Sequence, residues 1–110
     1  MGYIKHDAVI VATNDYRPGG LPDVEAFRQS LPEEWRRLVI GPVTAVANWT
    51  AFYAFLPDGS KEGWDTSDEG DTYREQFRAL FQKTDYDDVV TTSFGGDYGS
   101  EVGARVETAN

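Results

Sequence analysis

The feature that most constrains the fold is a continuous apolar run near the start of the chain, from Asp7 to Thr13. It has the length of a strand and is rich in β-branched residues. A strand with one solvent-facing side alternates apolar and polar residues, whereas this run does not. It therefore predicts a central strand that is covered on both faces.

Apolar residues at helical spacing predict the helices. Val24, Phe27 and Leu31 form one stripe, and Pro32 predicts a bend that divides this segment into two short pieces. A longer helix is predicted over residues 67–83, which carry the clearest periodic signal in the chain. Its apolar stripe consists of Tyr73, Phe77, Leu80 and Phe81.

Three further strands are predicted over 39–47, 50–56 and 87–94, with a tight hairpin between the first two and a short edge strand over 61–64. The order β-α-β-β-α-β predicts an α+β fold of the ferredoxin-like type. Its sheet would be mostly antiparallel, with two helices on one face. One domain is expected over 1–100. A frayed tail is expected over 101–110, because that end has little to bury.

Composition narrows the classes of function. The chain has 110 residues, no cysteine and a formal net charge of −9. The lack of cysteine excludes disulfides, thiolate metal sites and a cysteine nucleophile. The acidic excess disfavours direct binding to nucleic acid or to anionic membranes, and it favours solubility, a basic protein partner or cation binding. No signal peptide and no apolar run of membrane-spanning length is visible.

The densest acidic cluster lies over 56–71 and has two interpretations. Counted from Asp65, a calcium-binding EF-hand loop requires a bidentate glutamate at its last position, where this chain has Gln76. The aromatic stripe also requires a helix where that loop would lie, so no metal site is predicted. The other interpretation is a helix start, in which Thr66 and Glu69 form a capping box and nearby acids interact with the helix dipole.

Turn formation and helix capping account for most polar residues of the 56–71 cluster. They account least completely for four of its residues, Asp58, Glu62, Trp64 and Asp65. Trp64 lies beside a turn, where a large aromatic side chain is difficult to bury. Exposed tryptophans often contribute much of the energy of a protein interface. We therefore predict a partner-binding surface at these four residues. The alternative is that Trp64, like Trp49, covers one end of the core.

The loop before the first helix is a second candidate site, where Arg17, Gly19 and Gly20 could hold a small anion. It lacks the lysine and serine of a phosphate-binding loop, and the alternative is a flexible connection. The single histidine, His6, has no identifiable catalytic partner, and no serine lies in a nucleophile elbow. No enzymatic activity and no cofactor are predicted.

Parts of the sequence resemble small acidic proteins encoded by tailed phages of actinobacteria. These parts are residues 6–11, the strand entry containing Pro42 and, above all, residues 56–67. The resemblance implies an accessory gene product expressed in the cytoplasm of the bacterial host. It supplies no catalytic residue.

Together these observations predict a non-catalytic interaction protein that binds a host or phage protein. One alternative is a small-ligand or nucleotide-binding domain, with the ligand near Arg17. Another is an acidic inhibitor that mimics DNA, because residues 58–88 contain ten acids and four basic residues. A homodimer is a further expectation, by analogy with other ferredoxin-like domains.

Overall fold

The computed structural model describes residues 6–61, 63–95 and 104–108, which form a mixed α+β protein. The elements in chain order are β1 (His6–Asn14), α1 (Val24–Ser30), α2 (Glu33–Arg36), β2 (Val39–Thr44), β3 (Thr50–Phe55), α3 (Asp65–Ala79), β4 (Asp88–Phe94) and β5 (Ala104–Thr108).

The strands form one sheet with the order β2-β3-β1-β4-β5, and every neighbouring pair is antiparallel. The prediction of a central strand over 7–13 is confirmed, since β1 pairs with β3 on one side and β4 on the other. The predicted cover on both faces is wrong for the described residues, because Ile10 is 48% exposed. Ile10 lies opposite Ala54 of β3 and Val90 of β4. This register makes Ile10 the middle of the sheet.

The predicted number of helices is wrong, since the described part of the chain has three rather than two. Pro32 separates α1 from α2 because its ring leaves no backbone N–H to continue the first helix. The division of this segment into two short helices at Pro32 is therefore confirmed, although the fold prediction counted the two as one helix. At the start of α1, the Asp23 carboxylate accepts a hydrogen bond from the Ala26 N–H at 3.0 Å.

Helix α3 begins at Asp65 and ends at Ala79, so it begins and ends earlier than the predicted 67–83. The predicted capping box is wrong. Trp64 is the N-cap residue and makes no side-chain cap, while Thr66 lies inside the helix. Glu69 instead accepts a hydrogen bond from the Tyr73 hydroxyl at 2.8 Å, four residues further along.

The edges of the sheet differ from the prediction. The stretch expected to fray, 101–110, contains β5, which pairs with β4. The predicted edge strand is not formed by the described residues 61, 63 and 64: Lys61 makes only an isolated bridge, and Gly63 and Trp64 lie in a turn and a bend. On the opposite edge, β2 shifts register between Ile40 and Val43.

The hairpin between β2 and β3 is confirmed. Asn48 and Trp49 both have positive φ, 65° and 57°, and Ala45 donates its N–H to the carbonyl of Thr50 at 2.9 Å. At the register shift, Gly41 has a φ of +117°, and a Cβ there would lie 2.6 Å from the Phe52 carbonyl oxygen. Any other residue at this position would collide with the neighbouring strand.

All three helices pack on the same face of the sheet and build the core with it. The core side chains of the strands are Val9, Val11, Val39, Ala51, Tyr53, Phe55 and Val89, and those of the helices and their ends are Val24, Leu31, Trp35, Phe77 and Phe81. Because side chains alternate along a strand, the residues between the core positions point to the other face. No helix of the described residues covers that face.

Candidate functional site

The face of the sheet opposite the helices carries a cluster of large apolar side chains in contact with solvent. We call it the open sheet face and define it by Ile10, Ile40, Val43, Phe52 and Phe94. Their exposed fractions lie between 37% and 50%. Cross-strand pairing places them on one side, since Val43 lies opposite Phe52 and Ile40 opposite Ala54.

Small residues occupy the positions between these side chains, and charge is nearly absent. Ala8, Ala12 and Ala54 share the face with the larger residues. Within the described strands β1 to β4, Asp88 is the only acid on this side, at the start of β4 opposite Ala12. Sequence reasoning did not select this face as a binding surface. The available signal was the lack of polar alternation in β1.

Of the predicted partner-binding residues, the structure brings Trp64 and Asp65 together at the start of α3. The Trp64 side chain is 53% exposed, and the Lys61 Nζ lies 5.6 Å from the centre of its ring. Asp65 is exposed in the first turn of the helix. Glu62 lies outside the described residues. The alternative in which Trp49 and Trp64 cover the ends of the core is wrong, because Trp49 is 62% exposed.

Asp58, the fourth predicted residue, is directed towards helix α3 instead of solvent. Its Oδ2 accepts a hydrogen bond from Arg74 Nη1 at 2.9 Å, and its Oδ1 accepts one from the Ser60 N–H at 2.7 Å. Burial opposes ionisation of this carboxyl, but the Ser60 and Arg74 interactions outweigh it and lower the pKa of Asp58. The carboxylate therefore fastens the loop at residues 58–60 to the helix.

Arg74 is buried and is neutralised by several carboxylates. Besides Asp58, it contacts Asp71 Oδ1 at 2.9 Å, and its Nη2 lies 4.0 Å from Asp7 Oδ2. Gly70 provides the space for this arrangement, since a Cβ there would lie 2.4 Å from Asp58 Oδ2. The loop before Trp64 is thus held by a charged cluster that includes strand β1.

The predicted ligand-binding arginine, Arg17, is also buried and is paired within the protein. Its Nε and Nη2 donate to the two oxygens of Asp87 at 2.8 and 2.7 Å, and its Nη1 donates to the Gly20 carbonyl at 2.7 Å. Gly19 and Gly20 have positive φ and lie in open space. An anion at this loop would have to compete with Asp87 for the guanidinium.

Asp87 is more deeply buried than Arg17 and receives further hydrogen bonds. The Thr13 hydroxyl donates to Oδ1 at 2.6 Å, and the Lys83 and Thr84 N–H groups donate to Oδ2 at 2.9 and 3.1 Å. Burial opposes ionisation, but the bonds from Arg17, Thr13 and Lys83 outweigh it and hold the pKa of Asp87 far below its usual range. This cluster joins the 14–20 loop to the entry of β4.

An open groove beside α2 is lined by three arginines, but two of them are already engaged. Arg28 donates to the carbonyls of Val39 and Gly41, and Arg36 donates to the carbonyl of Leu31. Glu33 and Glu34 line the same groove, so its charge is mixed. The Arg28 contacts fasten α1 to β2, and the Arg36 contact joins α2 to the end of α1.

No group of three acidic or histidine side chains that could hold a metal ion is found in the described ranges. None of the helices described is long and apolar enough to cross a membrane. Comparison of the chain with protein-family models, with curated proteins and with solved structures finds no match.

Proposed function

We propose that the chain is a non-catalytic interaction module that binds a basic host or phage protein through Trp64 and Asp65. The observation that supports this function is the exposure of Trp64 on a loop that is fastened to the protein on both sides. Asp58 anchors the loop to Arg74, and α3 begins directly after the tryptophan. An aromatic side chain held in this way loses little conformational entropy on binding.

The chemistry around Trp64 favours a cationic partner. Lys61 shows that a cation can approach the indole ring, and an arginine of a partner would interact with the ring in the same way. Asp65, Asp68 and Glu69 are exposed in the adjacent turns of α3. Carboxylates beside an exposed indole complement a basic surface, and such a contact would weaken with salt.

We further propose a ferredoxin-like arrangement and an origin as a phage accessory protein of the bacterial cytoplasm. The order β2-β3-β1-β4 with antiparallel neighbours supports the arrangement, as does the placement of the helices on one face. The proposed origin rests on the resemblance of residues 6–11 and 56–67 to phage proteins. The small-ligand alternative has less support, because Asp87 already occupies the guanidinium of Arg17.

The test is a pull-down from actinobacterial host lysate with three baits: the wild type, the Trp64→Ala/Asp65→Ala double variant, and Trp49→Ala. The third bait removes another exposed tryptophan, which lies in the turn between β2 and β3. We expect a basic protein to be retained by the wild type and by Trp49→Ala, to be lost from the double variant, and to elute at about 0.5 M NaCl. Equal recovery with all three baits contradicts the proposed surface.

A further inference from the structure

We propose that the open sheet face is the interface between two copies of this chain. The proposal concerns Ile10, Ile40, Val43, Phe52 and Phe94, which lie on the side of the sheet opposite the helices. It is independent of the surface formed by Trp64 and Asp65.

The first argument is the composition of β1, which is apolar on both sides while one side lacks a cover. Val9 and Val11 are 0% exposed beneath the helices, whereas Ile10 between them is 48% exposed. Contiguous apolar surface of this kind is uncommon on a monomer and marks interaction sites. A central strand built for burial on both faces indicates that a second layer covers the open side.

The second argument is size. The five strands of the sheet, spaced about 4.8 Å apart with about six residues each at about 3.3 Å, give a face of about 24 by 20 Å, in which β1 to β4 carry the open sheet face and β5 extends one edge. Pairing two such faces removes roughly 1,000 Å² from water, which is near the lower limit for a specific interface. We therefore expect a dimer with a dissociation constant in roughly the micromolar range.

The third argument is charge. Two copies with a net charge of −9 repel each other unless they meet where acids are absent. The open sheet face satisfies this condition, since Asp88 is the only acid on it within the described strands β1 to β4. A basic partner would gain little at this neutral surface and would be attracted to the acidic helix α3 instead.

The fourth argument is the shape of the surface. Phe52 and Ile10 project from positions that neighbour Ala12 and Ala54 in the register. A surface that alternates large side chains with alanines can interdigitate with a copy of itself at the usual spacing of about 10 Å between stacked sheets. The same patch then serves both partners, as a two-fold dimer requires.

The test is sedimentation equilibrium of the whole chain over loading concentrations from about 1 µM to about 300 µM. We expect the wild type to approach twice the 12.3 kDa chain mass at the highest concentration. Adding about 0.5 M NaCl should tighten this association by screening the repulsion between acidic copies. The same salt is expected to weaken binding at Trp64, so the two surfaces are distinguishable.

The diagnostic variant is Ile10→Thr/Phe52→Thr, which places a β-branched residue with high strand propensity at both positions and removes the large apolar side chains. It should raise the dissociation constant at least tenfold while the far-ultraviolet circular dichroism stays unchanged. Trp49→Ala and Trp64→Ala are matched controls that remove exposed aromatic side chains outside this face, and both should dimerise like the wild type.

Three outcomes would overturn the proposal. The first is a wild type that remains a 12.3 kDa monomer at every concentration, and the second is a dimer unaffected by the double threonine variant. The third is a monomer whose open sheet face instead binds lipid vesicles or a different protein in an Ile10- and Phe52-dependent manner. None of these results bears on the function proposed for Trp64, which the pull-down tests separately.

Discussion

The two faces of the sheet are made from the same strands, yet only one is covered within the chain. On the helix side Tyr53 and Phe55 are at most 2% exposed, whereas Phe52 between β3's core positions is 42% exposed. Both sets are large and apolar, so hydrophobicity alone does not distinguish them. The difference shows that an apolar pattern in a strand does not by itself reveal which of its sides the chain's own helices cover.

The largest expected effect separates the two faces directly. Phe55→Ala should lower the free energy of unfolding by about 3–5 kcal/mol, because it leaves a cavity between β3 and the helices. Phe52→Ala, three positions earlier, should cost less than about 1 kcal/mol in the monomer. Urea unfolding at about 1 µM protein measures both while keeping association low. Equal losses of unfolding free energy in the two variants would show that Phe52 is packed within the monomer as tightly as Phe55.

The next effect uses two adjacent acids that face opposite sides. Asp87→Asn should lower the free energy of unfolding by about 3 kcal/mol, because it leaves the buried Arg17 guanidinium without its charge partner. Asp88 is exposed, and Asp88→Asn should cost about 0.5 kcal/mol or less. Thermal unfolding at neutral pH checks this pair. If Asp88→Asn lowered the free energy of unfolding more than Asp87→Asn, the carboxylate on the open side would be the one that stabilises the fold.

The same buried carboxylate should control stability in acid. The pKa of Asp87 is lowered in the folded protein, so the unfolded chain binds more protons as the pH falls below about 4. The stability that Asp87 contributes is thus fully present above that pH and is lost below it, by about 2 kcal/mol. Melting temperatures from pH 7 to pH 2 should fall less steeply for Asp87→Asn than for Asp88→Asn. If the melting temperatures of the two variants fell equally with pH, Asp87 would not be the carboxylate that controls stability in acid.

A smaller effect is expected within the helix-covered half, at the Arg74 cluster. Asp58→Asn should cost about 1–2 kcal/mol, because Arg74 keeps its contact with Asp71 when one charged hydrogen bond is weakened. The Asp71 side chain is 65% exposed, so Asp71→Asn should cost less than about 0.5 kcal/mol. Chemical unfolding of the two variants tests the order. The reverse order would mean that the helix-surface carboxylate supports Arg74.

Local patterns were sufficient for the parts of the fold that depend on neighbours in sequence. The β-branched run predicted β1, and the apolar stripe through Phe77 and Phe81 predicted α3. Asn48 and Trp49 were correctly expected in a hairpin turn. These features arise from side-chain periodicity and turn preferences, which act over a few residues.

The rest depends on distant residues and has no local signature. Arg17 and Asp87 are 70 positions apart, so the loop chemistry around Arg17 looked like an anion site although the anion is a side chain of the same protein. Asp58 looked like a surface acid because its partner, Arg74, lies 16 residues away. Strand β5 carries few apolar residues, and its pairing with β4 is not visible in its own sequence.

The register shift in β2 limits how further strands could be added at that edge of the sheet. Pro42 has no N–H to offer a further strand, and the irregularity between Ile40 and Val43 disrupts the row of backbone groups along that edge. Growth by adding strands side by side, as in filaments and amyloid, is therefore blocked at β2. Pairing through the open sheet face, as proposed above, covers the apolar surface of both copies at once, so that assembly stops at a closed pair.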